Sequence, residues 1–268
     1  MEFSKSSWPT PEFDDNNEPH FLFMITPPRS GSTAMSELIN SSHRTMILQG
    51  RGEGQWLIPG MCEEDRWNTE KKIDYSSVKA VWLRQFQGVQ KLVKNVDVVI
   101  EKSPPNMMRI QDLLSTFKNH SLLATNREPC AYSASTLYRQ YNAGSLGPVE
   151  RRVILNRCID EWIKRSKIIR EIVVTLDSPL LTYEKFCGST SSIINKLQLP
   201  TGVAETINTE AVVKVKDYKL QKIENQNERQ ISKLTNVEVE SMKDTLEKHE
   251  DLLYFFFLLI EHFEPYGQ

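Results

Sequence analysis

Residues 21–40, FLFMITPPRSGSTAMSELIN, constrain the fold more than any other part of the chain. The apolar run of residues 21–25 is cut off by Thr26, Pro27 and Pro28. After the polar turn Arg29-Ser30-Gly31-Ser32-Thr33 the spacing of Met35, Leu38 and Ile39 becomes helical. Strand, tight loop and helix therefore follow one another. A loop that feeds a helix N-terminus aims several backbone N–H groups at one point, where the positive end of the helix dipole also favours an anion. Ser30, Ser32 and Thr33 add hydroxyls, Gly31 permits close backbone approach, and Arg29 brings a fixed charge with a planar fork of donors. A phosphate or sulfate ester suits such a loop, although an ordinary Ser- and Gly-rich turn with helix caps has the same composition.

The rest of the chain repeats the alternation. Strand patterns fall at residues 45–48, 96–100, 122–125 and 180–183. Helical patterns fall at 55–61, 76–93, 106–117, from 129 to 141, 149–174, 184–197 and 237–263. In the long helix Ile154, Cys158, Trp162, Ile169 and Val173 are expected to face the core. Strands alternating with helices predict an α/β fold: a single domain with a central parallel sheet flanked by helices and a P-loop-like anion-binding loop after the first strand. The expected layout is a loose N-terminal arm at 1–19 and one domain over 20–268, a length sufficient to bury a substantial core.

Composition narrows the function classes. A formal net charge of -2 gives no global attraction to nucleic acid or acidic lipid, so an anionic ligand needs a local basic pocket. The 4 cysteines, Cys62, Cys130, Cys158 and Cys187, form no CxxC pair and read as apolar fillers in a reducing compartment. The first twenty residues lack the apolar core of a signal peptide, and the apolar run at 252–260 is too short to span a bilayer. The expectation is a soluble cytoplasmic monomer or homodimer with no membrane or nucleic-acid partner and no metal-ligand cluster.

Polar residues gather after three of the strands, at Arg29, at Glu101-Lys102-Ser103 and at Arg127. In an open parallel sheet such loops meet at the carboxyl edge, where ligands bind. Here the chain resembles the sulfotransferases that use 3′-phosphoadenosine 5′-phosphosulfate (PAPS), enzymes of EC 2.8.2 type. Pro28-Arg29-Ser30-Gly31-Ser32-Thr33 is similar to that family's 5′-phosphosulfate loop. Arg127-Glu128-Pro129 followed by Ser135, with Ser133 as a nearby rival, is similar to its 3′-phosphate motif, and Tyr183-Glu184 to a late Tyr-Glu pair beside the adenine. The resemblance covers residues 21 to about 197. It implies PAPS as donor, no metal, and binding through Arg29, Ser30, Gly31, Ser32, Thr33, Arg127, Ser135 and Tyr183.

Departures from the family pattern bear on the base. Members acting on phenols and steroids carry a Lys-Thr-His segment with a catalytic histidine, whereas this chain has Glu101-Lys102-Ser103-Pro104, as in carbohydrate and small bacterial members that tend to use a glutamate. His43 and His120 read as surface or loop-end residues. Glu53, in GRGEGQW after the second strand, is the candidate base, with flanking glycines for close approach. A glutamate at a helix N-terminus is the other reading of the same residue. Lys102 and Arg29 are candidates for stabilising charge on the transferred group. The family's basic C-terminal segment is missing, leaving Lys214, Lys216, Lys219 and Lys222 as candidates for the 3′-phosphate. Trp56, Tyr138 and Tyr141 are candidate acceptor-side aromatics, for a small polar acceptor such as an alkaloid, sugar or alcohol of secondary metabolism. Two alternatives stay open: a nucleoside-triphosphate kinase or NTPase with a degenerate loop, and a silent nucleotide-binding protein.

Overall fold

The computed structural model describes residues 18–49, 51–93, 95–215 and 219–258. Its centre is β1 (His20–Ile25), which pairs in parallel with β3 (Val98–Glu101) on one side and β4 (His120–Ala124) on the other. Beyond β3 lies β2 (Thr45–Ile47), giving a four-stranded parallel sheet of order β2-β3-β1-β4. Strand side chains alternate between faces, and here both faces are dry. Phe21, Phe23 and Ile25 pack with Trp82, Phe117 and Trp162, while Leu22 and Met24 pack with Met35, Leu38 and Phe186. Each cluster belongs to one helical layer.

The first face is covered by α2 (Tyr75–Gln90), α3 (Ile110–Thr116), α4 (Pro129–Gln140) and the long α5 (Pro148–Thr175). The second is covered by α1 (Ser32–Ile39) and α6 (Tyr183–Gly188). Local chemistry sets these starts: Asp74 caps α2 by accepting from the amides of Ser76 and Ser77, and Glu128 caps α4 with Pro129 at its first position. The chain then forms a hairpin of β5 (Val213–Lys214) and β6 (Leu220–Gln221), followed by α7 (Asn227–Ile231), α8 (Asn236–Leu246) and α9 (Glu250–Leu253). Among the described residues no helix is long and apolar enough to cross a membrane.

The expected α/β fold with a parallel sheet is what the chain forms, with local differences. Residues 180–183 contribute only an isolated bridge from Leu180 to Ala124, and Thr182 turns the chain into α6 by accepting from the Lys185 amide. Residues 184–197 are a short helix and then a 3₁₀ turn (Thr190–Lys196). The 55–61 pattern is likewise a 3₁₀ turn (Gly54–Leu57), and the helix expected at 106–117 splits into a 3₁₀ segment (Pro104–Arg109) and α3. In α5, Ile154 and Val173 are only partly buried, and Leu155, Ile159 and Ile172 take the core positions. Lys216, most of the expected arm and residues 259–263 of the last helical pattern lie outside the described residues.

Candidate functional site

The strand order places the polar loops side by side along the carboxyl edge: the Gly52–Gln55 turn after β2, Lys102 after β3, Arg29 after β1 and Arg127 after β4. With neighbouring strands about 4.8 Å apart, the edge from first to last spans roughly 14 Å.

The β1 loop is built around a left-handed turn. Arg29 has φ 64° and Gly31 φ 82°, and the N–H groups of Gly31, Ser32 and Thr33 find no acceptor among the described residues. Successive amides in such a turn form an anion-binding concavity. Ser30 does not add its hydroxyl to that surface. It is fully buried, with Oγ 2.7 Å from Pro27 O and 2.5 Å from Thr26 Oγ1, so it fixes the turn from behind. A side chain at Gly31 would meet Tyr183, because an added Cβ would lie 2.2 Å from the ring.

Arg127 joins the two phosphate motifs directly. Its Nη1 donates to the carbonyl of Arg29 (2.9 Å), its Nε donates to Asn227 Oδ1 (2.8 Å), and its guanidinium stacks 4.3 Å from the Tyr183 ring centroid. The third nitrogen, Nη2, is buried without a hydrogen-bond partner among the described residues, and so is Arg29 Nε. Leaving charged donors buried and unsatisfied is costly, so these atoms mark where an anion fits. Burial lowers both guanidinium pKa values. At Arg29 the charge of Arg139 adds to that effect while Tyr132 and Glu53 oppose it, and at Arg127 Tyr183 and Glu184 oppose it.

Support for the Arg127 loop comes from α5 and from the C-terminal segment. Trp162 Nε1 donates to Arg127 O (2.9 Å), and Asn126 Nδ2 donates to Ser166 Oγ (2.9 Å). The Tyr183 hydroxyl donates to Glu224 O and accepts from the Gln226 amide, while burial pushes its pKa up to about 12. Of the two rival serines on α4, Ser133 is buried and donates to Pro129 O (2.8 Å), whereas half-buried Ser135 has no hydrogen bond among the described residues.

At the other end of the edge Glu53 is one-quarter exposed. Its Oε1 lies 3.3 Å from Nζ of Lys102, a lysine with a 1% exposed side chain; its Oε2 accepts from Gln55 Nε2 (2.7 Å) and Trp56 Nε1 (3.1 Å). The flanking glycines serve packing rather than substrate approach. Gly52, at φ 80°, lies under the Lys102 stem, and a Cβ on Gly54 would fall 2.6 Å from Trp82. Trp56 is 59% exposed and borders a cavity of about 440 Å³ lined also by Leu57, Ile58, Pro59, Cys62 and Glu63.

Several expected site residues lie elsewhere or are otherwise engaged. Tyr138 donates to Lys233 O and packs with Arg151, and Tyr141 packs against the core. Lys214, Lys219 and Lys222 are exposed. His43 is exposed, and His120 Nδ1 contacts Phe117 O (2.6 Å). All 4 cysteines are free. Asn227 and Arg139 were missed by sequence reasoning. Arg139 stands four residues after Ser135 on α4, a helical spacing that could have found it. Asn227 is distant in sequence and carried no signal.

No known family's sequence profile matches the chain, and no curated protein matches it in sequence. Solved structures do. The sulfotransferase STF9 from Mycobacterium avium superimposes with a TM-score of 0.51 at 13% identity, covering 87% of this chain and 76% of that one. A sulfotransferase domain from the Synechococcus PCC 7002 olefin synthase gives 0.49 at 15% identity, covering 90% and 98%. A sulfotransferase domain from the curacin biosynthetic pathway gives 0.44 at 15% identity, covering 70% and 77%. The likeness to STF9 is one of fold: the chain has the sulfotransferase fold.

Proposed function

We propose that the protein moves a sulfuryl group from PAPS to a hydroxyl or amine of a small acceptor, with Glu53 as the base. The observation that carries this reading is the Arg127 to Arg29 contact, which brings two sequence-distant cationic motifs together and leaves a buried, unpaired donor on each guanidinium. PAPS, when bound, supplies the activated sulfuryl group and leaves as adenosine 3′,5′-bisphosphate. Arg29 and the amides of Gly31, Ser32 and Thr33 hold the 5′ end. Arg127 and Ser135 hold the 3′-phosphate, and Tyr183 borders the adenine. In this reading the amides, Arg29 and buried Lys102 supply the charge neutralisation, so the transfer uses no metal.

Glu53 takes the acceptor proton as the nucleophile attacks sulfur, and Lys102 stabilises negative charge on the bridging and equatorial oxygens. The acceptor enters over Trp56. Because the indole N–H donates to Glu53, the ring is held beside the carboxylate, and the same ring lines the neighbouring cavity with Leu57, Ile58 and Pro59. This favours a compact, partly apolar acceptor of secondary metabolism, such as an alkaloid, sugar or alcohol. The free cysteines support a reducing, cytoplasmic setting.

Calorimetry tests the donor site first. Titration with adenosine 3′,5′-bisphosphate is expected to release binding heat, and its absence with folded protein would overturn the reading. A metabolite panel with labelled PAPS then identifies the acceptor. ATP turnover that requires magnesium would replace the assignment with a kinase or NTPase, and bisphosphate binding without transfer to any acceptor would indicate a silent binding protein.

A further inference from the structure

The proposed chemistry makes no use of the most deeply placed carboxylate on this edge. Glu101, at the end of β3, is 1% exposed, and all its hydrogen-bond partners are donors. Its Oε1 accepts from the Gly54 amide (2.9 Å), the Ser103 amide (2.9 Å) and the Ser103 hydroxyl, and its Oε2 accepts from Asn106 Nδ2 (2.6 Å). Ser103 relays the hold one residue further, because its Oγ also accepts from the Gln55 amide (3.0 Å). On the other side of Glu53, the Lys102 amide donates to Gly52 O (2.8 Å).

The backbone on both sides of Glu53 is thus tied to the segment that carries Lys102, while the Glu53 side chain points out to Lys102 Nζ and Trp56. Ordinary loop packing does not call for a buried carboxylate at the centre of such a turn, since burying the charge is costly. Once ionised, the carboxylate accepts from every one of these neighbours, which offsets part of the cost of its burial. An amide in its place would turn an N–H group toward donors on one side or the other.

We propose that Glu101 is the positioning residue for Glu53, holding the Gly52–Gln55 turn in register with Lys102 so that the base faces the group being transferred. This rests on Glu53 being the base, whereas the hold on the turn is independent of any reaction. Displacing a catalytic group by a fraction of an ångström lowers turnover without altering a distant binding subsite. Glu101 accordingly acts on turnover through Glu53 and not on the bisphosphate.

Two measurements test this. In turnover of labelled PAPS with the acceptor that the metabolite panel identifies, Glu101→Gln is expected to lower kcat roughly tenfold in the wild-type background while leaving bisphosphate affinity unchanged. On top of Glu53→Gln it is expected to have little effect, because the residue it positions is already disabled. The same factor of loss in both backgrounds would overturn the proposal. Ser103→Ala, which removes the hydroxyl bond to Glu101 and the relay to Gln55 but keeps the Ser103 amide bond, is expected to show the same dependence on Glu53.

The second measurement needs no activity. Trp56 and Trp82 donate their indole N–H groups to Glu53 and to Gly54 O, whereas Trp162 donates to Arg127 O. In ¹⁵N-tryptophan NMR spectra Glu101→Gln should shift the Trp56 and Trp82 indole signals and leave Trp162 in place. Unmoved Trp56 and Trp82 signals would overturn the hold on the turn. If the wild type transfers no sulfuryl group at all, the enzymatic reading fails, and the indole signals still decide whether Glu101 fixes this turn.

Discussion

The two ends of the polar edge satisfy their hydrogen-bonding groups differently. At the Arg127 end the protein gathers cationic donors and, among the described residues, leaves Arg29 Nε and Arg127 Nη2 buried without acceptors, with the Glu184 Oε2 oxygen nearby also unpaired. At the Glu53 end both Glu53 oxygens, both Glu101 oxygens and the flanking amides have partners from the chain itself, and the buried atom left without one among the described residues is a neutral acceptor, Gln55 Oε1. An end that binds a ligand anion must keep donors unspent, since each internal partner would have to be displaced. An end that performs proton transfer gains from being fixed beforehand, because reorganisation during the reaction raises the barrier.

The sharpest way to break this division is to exchange its readouts. Glu53→Gln is expected to lower turnover by roughly a hundredfold or more with bisphosphate affinity nearly unchanged, as steady-state kinetics and calorimetry would show. Wild-type-like turnover would remove Glu53 as base and with it the functional half of the contrast.

The next largest effect concerns stability. Burial raises the Glu101 pKa from 4.5 to about 7, outweighing the bonds from Ser103 and Gly54, with the nearby charge of Glu53 acting in the same direction as burial. The folded state therefore binds more protons than the unfolded chain between these pH values, and this contribution to stability is lost as pH rises through about 7. From pH 4.5 to 7.5 the wild type should lose about 3 kcal/mol relative to Glu101→Gln, measured by denaturant unfolding of both proteins. Parallel pH profiles would show that burial does not raise the Glu101 pKa.

Arg127→Ala should weaken bisphosphate binding by roughly thirtyfold, the value of a charge-assisted hydrogen bond to phosphate. An unchanged dissociation constant would reject its assignment. Smallest of all, Ser135→Ala should cost about fivefold in the same titration, while Ser133→Ala, whose hydroxyl is spent on Pro129 O, should leave affinity unaltered.

Much of this edge was legible from the chain. The β1 loop, the Arg127 motif and the Glu101-Lys102-Ser103 segment each follow an apolar run, and a parallel sheet carries all such loops to one edge. Tyr183 was placed on a strand because Leu180, Leu181 and Tyr183 have strand-like composition. A cap at Thr182 instead started α6 there, and a local side-chain bond of that kind overrides propensity. Ser30 had the right residue type for an anion ligand, yet its hydroxyl closes a buried cluster with Thr26 and Thr125, 95 residues away. Glu101 read as part of a motif, with no hint that its carboxylate secures the turn around Glu53.

The sequence by itself determined which residues stand at strand ends, because apolar runs must be buried and proline, glycine and charge must end them. Only the tertiary structure decided their order across the sheet and which polar atoms remain unpaired. Crossovers carried β2 and β3 to one side of β1 and β4 to the other, setting Glu53, Lys102, Arg29 and Arg127 in a row that differs from their order along the chain. Hydrogen bonds among residues such as Arg127 and Asn227, 100 apart, form only once the sheet has fixed both, so no local pattern encodes them.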